Sequence, residues 1–314
     1  MSSVVVVDSA CDLPASFIER NPVKVLPLNL TLDGVDRVDN LSPGQKIELF
    51  QSGALTRGHD AESAPATADQ IYQYYLDEVV PNFDFAVGQS VSRTRSPTFD
   101  NWLSAQGNIQ RDYRAIREKA GVQGHFGMRV INSGTMFAGQ GLLAIETVRM
   151  FKAKSGKNEL RQSAESFKEK ILTFAVPKEL SYLRERARKK GDKSVSFISA
   201  FIGKALDISP ILRGSQDVTE PVAKVRGFDN ALDKLFSFAI DKIKEGLACP
   251  YIVISVADDP GVLLRYESYS DLKDVAKKHG VEVLSAVMSM SGGINLGPGT
   301  VSLALATDNH DYKF

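Results

Sequence analysis

The feature that most constrains this chain is a repeated unit: a short apolar run that stops in a loop of small hydroxyl residues. Val4-Val5-Val6-Val7 runs into Asp8-Ser9-Ala10-Cys11-Asp12-Leu13-Pro14. Phe85-Ala86-Val87 runs into Gly88-Gln89-Ser90-Val91-Ser92-Arg93-Thr94, and Val130-Ile131 into Asn132-Ser133-Gly134-Thr135. Gly297-Pro298-Gly299-Thr300 closes the set near the other end. Unbroken apolar runs read as strands buried on both faces. Hydroxyls after successive buried strands are what a ligand site at the carboxyl edge of a parallel sheet requires. Only a folded sheet brings loops from such distant segments together.

The intervening segments carry the helices. Leu13 to about Arg20 reads as a helix, and Val23–Leu32 as extended chain. After the loop at 56–66, Thr67 offers an N-cap hydroxyl to a helix opening at Ala68. A strand at 84–88, a helix from about Ser96 to Ala120, a strand at 128–132 and a helix from Gly139 to Lys152 follow. Strands alternating with helices predict an α/β fold with a largely parallel sheet covered on both faces. Polar Lys152–Asn158, containing Gly156, marks a boundary, so the expected domains are 1–155 and 156–314. The second is also expected to be α/β. Its helices fall near 159–173, 177–190, 196–206, 228–246 and 269–279, and its strands near 218–225, 251–257, 281–288 and 300–306.

Composition removes several classes of function. Lys+Arg and Asp+Glu both number 38, so no net field draws nucleic acid or an anionic membrane. Only Cys11 and Cys249 are present, too few for a disulfide framework and in keeping with a reducing cytoplasm. The apolar start is too short for a signal-peptide core, and no run approaches membrane-spanning length, so no stable membrane insertion is expected. His59, His125, His279 and His310 share no ligand spacing, so no metal site is expected. Phosphate-cradling glycine loops and the Gly-x-Ser-x-Gly elbow of esterases are absent, which leaves no expected cofactor and no catalytic residue.

The loop motifs, taken in order, resemble the DegV family of bacterial fatty-acid-binding proteins. The family opens with a strand and Asp-Ser-x-x-Asp-Leu-Pro, matched by Asp8, Ser9, Asp12, Leu13 and Pro14. Its Thr-Ser-Gln-Pro-Ser loop is met in part at Glu62-Ser63-Ala64-Pro65-Ala66, and its Leu-Ser-Gly-Thr-Tyr loop aligns with Val91-Ser92-Arg93-Thr94-Arg95. Its Ile-Asp-Ser and glycine-rich helix start look like Ile131-Asn132-Ser133 and Gly139-Gln140-Gly141. Leu206–Ile211, Lys224-Val225-Arg226 and Asn295-Leu296-Gly297-Pro298-Gly299 resemble the remaining motifs. The resemblance implies a two-domain fold that buries a long-chain fatty acid in an apolar tunnel. It also implies presentation of the carboxylate to a fatty acid kinase subunit, with the chain itself non-catalytic.

On that resemblance the ligand contacts are Ser63, Ser92, Thr94, Asn295, Gly297 and Gly299, with Glu62, Arg93 and Arg95 as departures from the pattern beside them. Glu62 stands where the family has Thr, Arg93 and Arg95 replace Gly and Tyr, and Asn295 replaces His. Ser194 and Ser209 stand where Arg and Lys are usual. A carboxylate beside a ligand carboxylate is unfavourable unless offset, a role open to Arg93 or Arg95. Read by themselves, the loop hydroxyls also suit turn backbone, Gly297-Pro298-Gly299 also suits a hairpin turn between the last two strands, and Asp12 suits a helix cap. The basic run Arg184–Lys193 is a solvated helix end or a docking patch. A hydrolase using a loop serine and a carrier of another amphiphile are the rival readings.

Overall fold

The computed structural model describes residues 2–55, 61–153, 156–190 and 207–314. Ser194, the expected helix at 196–206 and the end of the basic run lie outside the described residues. The first sheet joins β1 (Ser3–Asp8), β2 (Val23–Leu26), β6 (Phe85–Ser90) and β7 (Gly127–Asn132), all parallel, in the order β2-β1-β6-β7. The expected extended stretch 23–32 is two strands. Pro27 has no N–H to give a ladder, so the chain turns there and enters a separate antiparallel sheet. That sheet is β3 (Asn29–Leu32) between β4 (Val35–Val38) and β5 (Ala61–Ala64). The helix Ala68–Tyr74 opens with the expected Thr67 cap, reciprocated by Gln70. Helix Thr98–Lys119 buries Trp102, Ala105, Ile109 and Tyr113, the single stripe that a 3.6-residue period presents to a sheet.

The second sheet has the order β10-β9-β8-β13-β11-β12, from β8 (Ile171–Val176), β9 (Ile208–Ser215), β10 (Val218–Arg226), β11 (Tyr251–Val256), β12 (Glu282–Val287) and β13 (Val301–Ala306). Only β11 and β12 run parallel; the other pairings are antiparallel. Two expectations fail here. Residues 171–173 are not the end of a helix: the helix stops at Lys168 and β8 follows, all six of its residues buried. A hairpin between the last two strands is also excluded, because β11 lies between β12 and β13 and helix Met290–Leu296 connects them.

One helix ties the sheets together. Ala138–Lys152 is buried continuously from Ala138 to Val148 and packs on β1 and β6 as well as on β8, β11 and β13. Its leucines 142 and 143 share a core with Val5 and Val7 of the first sheet and Val253, Ala304 and Ala306 of the second. The approach is close: a Cβ on Gly139 would stand 2.0 Å from Thr173 Oγ1, and one on Gly141 2.1 Å from the Asp12 carbonyl. Helix Lys157–Lys168, beyond the expected boundary at 155, still lays Leu160 and Ala164 on Phe85, Val87 and Ile131 of the first sheet.

Candidate ligand site at the carboxyl edge of the first sheet

Parallel pairing in register brings Asp8, Ser90 and Asn132 to one edge, so the loops after β1, β6 and β7 meet there. Asp8, fully buried, stitches them together: its carboxylate accepts from Val91 N–H at 2.7 Å, Ala10 N–H at 3.2 Å and Gln140 Nε2 at 3.1 Å. Ser9 donates to Asp39 at 2.8 Å and accepts from Leu28 N–H at 3.0 Å. Asp12 is not the helix cap. That position is Pro14, and Asp12 instead reaches the second sheet's side, accepting from the Ser255 hydroxyl and, at 2.8 Å, from Ser289 N–H. Burial pushes Asp8 and Asp12 each up to about 6, against the hydrogen bonds that favour their charged forms. Burial likewise raises Asp39 and the Cys11 thiol. These acids are committed to hydrogen bonds between loops. No group of three or more His, Cys, Asp or Glu is placed to hold a metal among the described residues.

The expected ligand residues fall into separate groups. Ser92, 3% exposed, donates to Asp217 Oδ1 at 2.6 Å and lies 2.9 Å from Thr94 Oγ1, which donates to the Asp217 carbonyl at 2.8 Å. Asn132 Nδ2 donates to the other oxygen of Asp217 at 2.7 Å, while its Oδ1 accepts from Arg93 N–H at 3.0 Å. Arg93 directs its guanidinium to Asp100 at 3.7 Å and over Phe99, and Arg95 Nε donates to Thr219 at 3.0 Å. Both arginines therefore have partners of their own beside any role toward Glu62. Ser63 and Glu62 lie on β5: Ser63 sits 3.3 Å from the Ser291 hydroxyl, and Glu62 is exposed opposite Thr31.

Asn295, Gly297 and Gly299 belong to the end of helix Met290–Leu296. Asn295 Nδ2 donates to the Ser291 carbonyl at 2.7 Å, and Tyr182 donates to the Ile294 carbonyl at 2.9 Å. Gly297 takes φ 95° as the residue that ends the helix, and its N–H is spent on the Gly293 carbonyl; the Gly299 N–H goes to the Ala257 carbonyl. Neither glycine presents a free amide to an anion. Sequence reading missed Asp217, the residue that gathers Ser92, Thr94 and Asn132. An Asp in a hairpin turn carries no signal of what lies opposite it in space. Ser255, Ser289 and Ser291 were missed for the same reason.

Comparison with known proteins follows the fold. The family model described as "Uncharacterised protein, DegV family" matches residues 2–308. A DegV domain-containing protein of Xanthomonas axonopodis pv. citri is 37% identical over 309 residues, covering 98% of both chains. A DegV lipid binding protein of Thermotoga maritima superposes with a TM-score of 0.75 at 18% identity, over 99% of this chain and 100% of that one. The fatty acid kinase B3 protein of Streptococcus pneumoniae, solved loaded with linoleic acid, gives 0.72 at 15% identity over 98% and 100%. This α/β chain, with its parallel sheet and its second sheet unit, belongs to the DegV family.

Proposed function

We propose that the protein binds a long-chain fatty acid and presents its carboxylate to a kinase partner, supplying no phosphotransfer chemistry itself. The observation that carries this is the end-to-end fold match to a protein solved with linoleic acid and named for a fatty acid kinase. The cluster at the sheet edge supports it, because Ser92 and Asn132 converge on a carboxylate while Thr94 donates to the backbone carbonyl of the same residue. Most of the affinity then comes from the tail. Each CH2 removed from water contributes about 0.8 kcal/mol, so about sixteen carbons supply on the order of 10 kcal/mol before ordering costs. Changes at the head-group loops are therefore compatible with tight binding. We place the protein in the cytoplasm, where its two free cysteines stay reduced.

A hydrolytic reading needs a base at Ser92. Its hydrogen bonds go to Asp217 and Thr94, whereas His125 contacts Tyr113 and His310 the Thr307 carbonyl. The test is gentle organic extraction of the protein expressed in bacteria, followed by mass spectrometry. Palmitate- to oleate-sized species near one per chain are expected, and acyl-phosphate should form from ATP only when a kinase subunit is added. A protein that is empty and takes up no labelled fatty acid rejects the proposal.

A further inference from the structure

The hairpin joining β9 and β10 turns on Gln216 and Asp217, at φ 55° and 60°. A two-residue hairpin turn requires that left-handed φ at both positions, which Asp tolerates better than Gln, and contacts outside the hairpin add to the hold on the tip. Those contacts come from the first sheet. The Asp217 N–H donates to the Gly134 carbonyl at 2.8 Å, and its carboxylate accepts from Ser92 and Asn132. A hydroxyl has one proton to donate. The Ser92 proton goes to the Asp217 carboxylate and the Thr94 proton to the Asp217 carbonyl. The donors at the ends of β6 and β7 are thus set around a carboxylate, and it is the protein's own.

We infer that Asp217 is an internal competitor for the ligand carboxylate, a reading that rests on the fatty-acid proposal above. A bound acid reaches Ser92 and Asn132 only when the hairpin tip withdraws, because two carboxylates at one set of donors repel and one of them goes unbonded. Asp217 therefore sets the affinity of the head-group position, and moving the tip is the step that admits or expels the acid. A competitor seated nine-tenths of the time lowers apparent affinity about tenfold.

The test compares labelled palmitate binding by the native chain, Asp217→Gly and Asp217→Asn. Glycine suits the left-handed turn, and asparagine tolerates it while losing the charge, so at least one variant keeps the hairpin. Asp217→Gly should bind palmitate about tenfold tighter, with Asp217→Asn changed in the same direction. Ser92→Ala should weaken binding by a larger factor in the Asp217→Gly background than in the native one, where the same substitution also loosens the competitor. Unchanged or weaker palmitate binding by both Asp217 variants overturns the inference and leaves the fatty-acid proposal standing. Acetate titration, followed by the amide signals of Ser92 and Asn132, separates the two. A saturable acetate response gained in Asp217→Gly, with no form binding palmitate, rejects the fatty acid and keeps the competitor. Neither response overturns both.

Discussion

Asp12 shows how one residue couples burial, charge and pH. In the unfolded chain its carboxyl titrates near its ordinary value of 3.8; burial raises it to about 6 in the folded protein. Between those values the folded state holds more protons than the unfolded state, so its stability falls as pH rises through that window. Two pKa units correspond to about 3 kcal/mol. Asp12→Asn keeps the shape and removes the titration. Between pH 4 and pH 8 the urea stability of the variant relative to the native chain should rise by about 2 kcal/mol, since part of the change already lies below pH 4. A pH-independent difference would show that Asp12 ionises freely. The same burial keeps the thiols unreactive: Cys249 is pushed up to about 12. Alkylation of Cys249 at pH 8 should therefore require unfolding, and rapid labelling of the folded protein would contradict its burial. At this scale the sequence showed that loop hydroxyls gather at a sheet edge, because strand-loop order is local information. It did not show that Ser92 meets Asp217, a pairing made across 125 residues by the tertiary fold alone.

Among the elements, helix Ala138–Lys152 gives the sharpest contrast between two chemically identical substitutions. A Cβ on Gly141 would lie 2.1 Å from the Asp12 carbonyl, which is backbone and cannot swing aside. Gly107, exposed on helix Thr98–Lys119, has nothing within 4 Å of the same atom. Gly141→Ala should cost about 3 kcal/mol or more through overpacking, and Gly107→Ala should stabilise by roughly 0.5–1 kcal/mol through lower unfolded-chain entropy. Denaturant melts of the two variants check the opposite signs; equal effects would mean the helix does not approach the Asp12 loop so closely. Most elements of the first sheet were legible because capping residues, strand runs and a 3.6-residue stripe coincide there. β8 was not, since a strand buried on both faces lacks the alternation that separates it from a buried helix. Helix Met290–Leu296 was hidden in a Gly- and Ser-rich stretch of low helix propensity, and tertiary contacts fix it.

At the scale of the whole molecule, cutting the chain at residue 155 gives one large sheet to each part, yet the packing does not respect the cut. Helix Ala138–Lys152 fills the space between the two sheets, with Leu142 and Leu143 in one core that takes residues from both. Helix Lys157–Lys168 crosses back onto the first sheet. Units that share a buried helix lose apolar contacts together, so each is too exposed to persist once its neighbour has opened. The protein should unfold in one cooperative transition. Trp102, the chain's single tryptophan, is fully buried in the first sheet's core and reports that part alone, while far-ultraviolet circular dichroism reports both parts. Their urea midpoints should coincide, and Gly141→Ala should move both midpoints by the same amount, since it disturbs the helix that both sheets use. Two separated midpoints, or a variant that shifts only the Trp102 signal, would show that the shared helix does not couple the sheets.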